Sequence, residues 1–325
     1  MKAVVVHQYG PPEGFVLEER ACPPPAPGEV RIRLAAAGIS FVDLLTAAGN
    51  YQIKHPLPFI PGSESAGTVD AIGPGVSKFK PGDRVCAASP LGAWGEFICV
   101  PEQRVLSVPA GVSFPQAAVF HVPYSTALLG LQHRGKLRPG ETLFVTGAAG
   151  SVGLAAIQVG KVLGARVIAG ASSPRKREAA LAAGADEVVD TAAPDWTKTL
   201  KAATAGRGID VVLDPVGGPA AEALFKTLAW GGRYLVVGFA SGTIPTIAAN
   251  LPLLRSASLV GVNVGPFEQH EPEAAQRNRE QLALWLGDGR LTPLIARAFP
   301  LVDFVAAARL AADRETVGRV VLTMD

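Results

Sequence analysis

Between Glu141 and Val264 the chain alternates short apolar runs with stretches of helical composition, and no other feature limits the possible folds as much. The runs are 142–146 (TLFVT), 166–171 (RVIAGA), 187–190 (EVVD), 210–213 (DVVL), 233–238 (RYLVVG) and 259–264 (LVGVNV). Runs this short and this apolar are strands covered on both faces, and strands that recur with a helix between them form a parallel sheet. Helices are expected over Val152–Leu163, Pro174–Ala183, Trp196–Ala203 and Pro219–Ala229. The fold class is α/β, a doubly wound (Rossmann) parallel sheet of six strands with helices on both faces.

The first 120 residues read differently. Apolar runs such as KAVVVHQYG, EVRIRLAAAG and GEFICVP are separated by Pro and Gly, which argues for an antiparallel, mostly β domain. Beyond the sixth run, helices are expected around Asn278–Leu286 and Val302–Ala312, before GRVVLTM, a strand able to return to the first domain. The expected organisation is a nucleotide-binding domain, 122–264, inserted between the two parts, 1–121 and 265–325, of a β-rich domain. The segment Phe267–Arg279 is unusually polar and reads as a lid or an altered substrate loop.

Composition excludes several classes. Hydrophobic residues at 48% and charged residues at 18% rule out a disordered chain. A net charge of +2, from 30 basic and 28 acidic residues without a basic block, leaves no footprint for nucleic acid. Cys22, Cys86 and Cys99 are too few and too scattered for a disulfide framework, so a cytoplasmic setting is expected. The uncharged stretches 142–160 and 234–254 are broken by Gly, Ser, Thr, Asn or Pro, so each reads as a buried strand plus turn rather than a membrane span. The start is apolar only from Ala3 to Val6, too little for a signal peptide.

The turn after the first strand of the alternation is Gly147-Ala148-Ala149-Gly150-Ser151-Val152-Gly153. Ala148-x-Gly150-x-x-Gly153 matches the dinucleotide fingerprint with its first glycine replaced. Gly150 lets the backbone approach a pyrophosphate, Gly153 lets helix and strand pack closely, and the helix start offers N–H groups to the anion. An NAD site wants Asp or Glu at the end of the second strand, to hold the ribose diol. Here that strand runs into Ala171-Ser172-Ser173-Pro174-Arg175-Lys176, two hydroxyls followed by two cations. Ser172, Arg175 and Lys176 suit a 2′-phosphate, which points to NADPH.

With these motifs in view, the whole chain resembles a medium-chain dehydrogenase/reductase, in the zinc-free quinone oxidoreductase (zeta-crystallin-like) branch. The resemblance runs from KAVVV and GEVRIRLAAAGIS through PGSESAGTVDAIGPGV and KPGDRV to AAGSVG and the closing GRVVL. It implies a GroES-like, mostly β catalytic domain around the Rossmann domain, and a homodimer. Zinc-dependent members hold their metal with Cys, His and Cys. The matching positions here are Ser40, Ser63 and roughly Val122, a set that cannot hold zinc, so no metal is expected. Without a Lewis acid the acceptor has to be electrophilic in itself, as quinones and α,β-unsaturated carbonyls are. The implied activity is NADPH:quinone oxidoreductase. The alternatives are an NADPH-dependent 2-alkenal, 2-alkenone or enoyl-thioester reductase and, in another class, a non-catalytic NADPH-binding structural or regulatory protein.

The resemblance also assigns roles to single residues. Tyr51 matches the tyrosine that looks like the proton donor of enoyl reductases, and a second reading makes it a pocket wall. Ser40 and Asp43 match positions near the nicotinamide ribose, and Thr126 a position near the nicotinamide. Tyr124 lines the substrate side and, with Tyr51 and Ser40, is a catalytic candidate, while His121 is nearest the proposed site. Cofactor contacts are implied for Ala149, Gly150, Ser151, Val152 and Gly153, and for Gly238, Phe239, Ala240 and Ser241 in the turn after the fifth strand. They are also implied for Val262 and Asn263, whose family counterpart pairs across the dimer, and for Arg319. Thr191 stands where a tyrosine often stacks on adenine.

Overall fold

The computed structural model describes residues 1–324, which form two compact units. One comprises Met1–Val122 and the chain from Ala283 onward, and the other Pro123–Leu282. The chain opens with a two-stranded antiparallel pair, β1 (Lys2–Val5) and β2 (Val16–Glu19). It continues through β3 (Glu29–Ile39), α1 (Phe41–Ala47), β4 (Glu64–Ile72), β5 (Arg84–Ala88), β6 (Phe97–Pro101), β7 (Val105–Ser107) and α2 (Phe114–Ala117). Strand β3 alternates buried with less buried positions, and Val30, Ile32 and Leu34 join Val69, Val85 and Val100 in one core. A second core gathers around Trp94, Phe59, Phe299 and Phe304.

The second unit opens in α3 (His121–Leu128), which runs directly into a π-helical turn over Leu129–Arg134. Then follow β8 (Thr142–Val145), α4 (Ser151–Val162), β9 (Arg166–Ala171), α5 (Pro174–Ala182), β10 (Glu187–Asp190), α6 (Trp196–Ala203), β11 (Ile209–Asp214), α7 (Ala221–Phe225), β12 (Leu228–Val236), α8 (Asn250–Arg255), β13 (Ser258–Gly261), α9 (Val264–His270) and α10 (Pro272–Gly287). The six strands pair in the order β10-β9-β8-β11-β12-β13, every neighbour parallel. Order reverses at β8, so the carboxyl ends of β8 and β11 flank the switch point where such sheets take ligands. The sheet's near-continuous apolar runs reflect burial on both faces: Leu143, Val167, Ile168, Val211 and Val212 are fully covered.

The chain then returns to the first unit as β14 (Ile295–Pro300), α11 (Phe304–Ala312) and β15 (Arg319–Thr323). The first unit's sheet runs β14-β15-β3-β4-β5-β7, with β6 also on β3.

Several boundaries depart from expectation. The helix expected over Pro219–Ala229 spans only Ala221–Phe225, because β12 starts early, at Leu228. Its register on β11 jumps from Ile209–Leu228 to Val211–Arg233, and Gly231, at φ 72°, lies within the bulge. The sixth strand stops at Gly261 rather than 264, and the run 234–254 closes in α8. The polar segment Phe267–Arg279 is helical, shared between α9 and α10. His133 Nε2 meets the Asn278 side-chain oxygen at 2.9 Å, and the His133 ring lies against Phe267. These contacts fasten both helices to the π-helical turn.

Candidate functional site

In the second unit the dinucleotide fingerprint lies between β8 and α4. A Cβ on Gly153 would stand 2.3 Å from the Gly147 carbonyl oxygen and 2.7 Å from the Ala148 Cα, so only glycine fits. Gly147 itself sits at φ 55°. Gly150 is the N-cap of α4 and no side chain caps that end, leaving the first-turn amides of Ser151, Val152 and Gly153 for an anion. Ala149 is buried beneath this turn. The loop therefore fits a pyrophosphate.

Strand β9 delivers Ser172 and Arg175, both exposed, with Lys176 half-buried beside them. Neighbouring Arg177 is engaged elsewhere, on Asp190 at 3.0 Å, which ties α5 to β10. Thr191 lies against the end of β9: its N–H donates to the Ala171 carbonyl at 3.2 Å. A Cβ on Gly170 would stand 3.0 Å from its methyl carbon.

At the end of β11, Asp214 is a node that sequence reasoning missed. Its buried carboxylate accepts from Thr146 Oγ1 (2.5 Å), from the Val216 N–H (2.9 Å), from the Gly217 N–H (3.1 Å) and from the Tyr234 hydroxyl. Burial, with the Asp214 carboxylate beside it, pushes the Tyr234 phenol far up. The turn after β11 is also knitted to the turn after β12. Ala240 N–H donates to Pro215 O at 3.1 Å, Ser241 N–H to Val216 O at 3.0 Å, and Gly218 N–H to Thr243 O at 3.0 Å. A Cβ on Gly217 would stand 3.0 Å from the Phe239 ring. So Gly238, Phe239, Ala240 and Ser241 share the sheet's carboxyl edge with the fingerprint turn, while Val262 is buried and Asn263, the N-cap of α9, is exposed. Tyr124 is only 2% exposed and its hydroxyl donates to Gln158 on α4 at 2.9 Å, with burial pushing the phenol well up. Thr126 is buried near it in α3.

In the first unit Ser40 caps α1 in a reciprocal box. Its Oγ accepts the Asp43 N–H at 3.0 Å, and Asp43 Oδ2 accepts the Ser40 N–H at 2.7 Å. The box fixes both residues at the end of β3. Burial pushes the Asp43 carboxyl up, against hydrogen bonds from Ser63 and Ser40. Glu64, also buried, accepts from Arg319 Nη2 at 3.0 Å and from the Val122 N–H at 2.8 Å. Arg319 thus has its partner within its own unit, and His121 is buried alongside. Of the three positions that the resemblance matches to zinc ligands, two present hydroxyls and the third a valine, a donor set that does not fit the metal. Tyr51 is half-buried in an irregular segment after α1.

Residues 26–110 match the family model described as an alcohol dehydrogenase GroES-like domain, and 151–279 the one described as a zinc-binding dehydrogenase. Quinone oxidoreductase-like protein 2 of Bos taurus is 36% identical over 311 residues, 95% of this chain and 89% of the relative. Among solved structures, an NAD-dependent alcohol dehydrogenase matches with a TM-score of 0.93 and 32% identity, over 100% of both chains. The Escherichia coli quinone oxidoreductase complexed with NADPH matches at 0.91 and 29%, over 99% of this chain and 100% of that one. The CurK enoyl reductase matches at 0.90 and 29%, over 100% and 99%. The chain is an oxidoreductase that belongs to the medium-chain dehydrogenase/reductase family, in its quinone oxidoreductase branch.

Proposed function

We propose that the chain is an NADPH:quinone oxidoreductase that works without metal or flavin. One observation carries the reading: Ser40 and Ser63 offer only hydroxyls where zinc members of the family hold their Lewis acid. A carbonyl acceptor then has to be electrophilic in itself, and quinones are. The amides of Ser151, Val152 and Gly153 bind the pyrophosphate, while Ser172, Arg175 and Lys176 hold the 2′-phosphate that distinguishes NADPH. Gly238–Ser241 border the nicotinamide, with Thr126, and the Ser40–Asp43 box supplies a fixed hydroxyl on the catalytic unit. When bound, NADPH supplies the hydride, and with one proton from solvent the quinone becomes the hydroquinone.

The likeness to the CurK enoyl reductase favours a second reading, in which Tyr51 protonates the carbon of an activated alkene after hydride addition. NADPH oxidation by purified protein, run in parallel with 9,10-phenanthrenequinone and trans-2-hexenal, separates the two. Turnover of the quinone alone, undiminished in Tyr51→Phe, supports the quinone reductase. Turnover of the enal, abolished in Tyr51→Phe, moves the protein to the alkene reductases. Tight NADPH binding with no turnover of either makes it a non-catalytic binding protein.

The proposal includes a cytoplasmic homodimer. Three unpaired thiols are in keeping with a reducing compartment, and among the described residues no helix is long and apolar enough to cross a membrane. Strand β13 leaves one edge of the parallel sheet unpaired and carries the half-exposed Leu259, which suits pairing with a second copy. Sedimentation at micromolar concentration tests the dimer.

A further inference from the structure

Tyr51 lies in a segment, Gly49–His55, that belongs to no helix or strand, and Tyr9 holds both of its ends. At the far end the Tyr9 hydroxyl donates to the His55 carbonyl at 2.5 Å. At the near end Gly49 (φ 72°) lies directly on the Tyr9 ring: a Cβ there would stand 3.0 Å from Tyr9 Cγ. The next residue, Gly10, donates its N–H to the Ala47 carbonyl at 3.2 Å, joining the backbone beside Tyr9 to the end of α1. The Tyr9 ring is in turn seated. It tilts against Phe59 with centroids 6.1 Å apart, and the His55 ring packs on the same Phe59 at 6.1 Å. Phe59 is buried and exchanges backbone hydrogen bonds with Val6 at 2.9 and 3.2 Å. A side chain anchored in the core thus closes the segment like a clasp.

We propose that Tyr9 is a positioning residue for Tyr51, and that its bond to His55 makes the Tyr51 segment a preformed wall rather than a mobile lid. The consequence for specificity rests on the reading of Tyr51 as an acceptor-side group. A wall that is already ordered favours a rigid planar acceptor, because no ordering cost falls on binding. Removing the hydroxyl lets the segment open locally while the ring still fills its seat on Phe59.

The test compares Tyr9→Phe with wild type and with Tyr9→Leu, which removes the ring contact as well. Hydrogen exchange of the Asn50 amide, which donates to the Leu45 carbonyl at 2.8 Å, reads the clasp directly. In Tyr9→Phe it is expected to speed up about tenfold, the equivalent of one hydrogen bond of ordinary net worth. KM for phenanthrenequinone should rise by a similar factor of about ten, with kcat and the KM for NADPH within about twofold of wild type. Tyr9→Leu should exceed both effects. Unchanged exchange in Tyr9→Phe overturns the clasp. Faster exchange with unchanged quinone KM overturns the positioning role if Tyr51→Ala, which removes the wall itself, does raise the quinone KM. If Tyr51→Ala alters nothing either, the clasp stands and the reading of Tyr51 as an acceptor-side wall fails.

Discussion

Arg319 and Glu64 form an ion pair inside the first unit, Nη2 to Oε2 at 3.0 Å, with 8% and 1% of the two residues exposed. The Val122 N–H also donates to the Glu64 carboxylate, at 2.8 Å. Arg319→Met would leave a buried carboxylate without its cation, a change that typically costs about 3–5 kcal/mol. The pH dependence has a definite sign. Burial already pushes the Glu64 carboxyl up against the pull of Arg319, and losing the guanidinium pushes it further. A folded state that holds its proton more tightly than the unfolded chain gains in acid. The deficit of Arg319→Met should therefore be smallest in acid and grow as pH rises through the folded-state value. Urea midpoints of both proteins across that window check it, and a deficit independent of pH would count against the pair.

The Glu141–Arg233 pair behaves differently. Arg233 forks onto Glu141 with Nη1 at 3.0 Å and Nη2 at 2.6 Å, and its Nε donates to the Gly135 carbonyl at 2.8 Å. Burial pushes the Glu141 carboxyl up, but hydrogen bonds from Arg233 and the Arg138 amide outweigh it and leave the group below its ordinary value of 4.5. A lowered carboxyl stabilises the fold above its unfolded value and ceases to do so as pH falls through its folded one. Glu141→Gln should lose about 1–2 kcal/mol near neutrality. The two denaturation curves should converge only in acid well below that ordinary value.

Gly153→Ala tests the fingerprint turn. The new methyl would meet backbone atoms on two sides, so the turn or α4 has to move. Overpacking of this kind costs about 1–3 kcal/mol, and NADPH affinity should fall at least about tenfold as the first-turn amides shift. Thermal melts with and without NADPH separate the two effects: a loss of stability with affinity intact would show the glycine to be a packing residue alone.

Cofactor choice is read most directly at Arg175. Arg175 is exposed in the first turn of α5, where replacement touches nothing in the core. Arg175→Ala should lower kcat/KM with NADPH by about tenfold or more, in line with a lost charge-assisted hydrogen bond, and leave NADH unaffected. Equal effects on both cofactors would remove the 2′-phosphate from the interpretation.

The doubly wound sheet was legible because its strands are covered on both faces. EVVD and RVIAGA coincide with β10 and β9, and no polar face had to be guessed. The glycines of the fingerprint were legible because a missing Cβ is a local requirement. What escaped depends on partners far along the chain. Asp214 closes a strand that any residue could close, and its role exists only once Thr146, 68 residues earlier, and Tyr234, 20 residues later, arrive beside it. Asn278 heads an expected helix, but nothing local marks its bond to His133, which lies 145 residues away. Likewise Ala229 ends a helical pattern on paper, yet the pairing of Leu228 with Ile209 on β11 draws that end into a strand. The clasp at Tyr9 has no pattern at all, since one hydroxyl and one glycine face carry it.

Strand β15 enters the first unit's sheet between β14 and β3, with Ile39 opposite Val320. On a translating ribosome those two residues emerge 281 positions apart, whereas all six strands of the parallel sheet lie within one continuous stretch of chain. The inserted unit therefore has every strand it needs while the unit that encloses it still waits for one. Until residues 319–323 are made, the far half of β3 presents unpaired N–H and C=O groups to the cell, the kind of edge that recruits chaperones or other nascent chains. A stop codon at position 319 would not trim a loose tail. It would withdraw an interior strand, and take the guanidinium beside Glu64 with it.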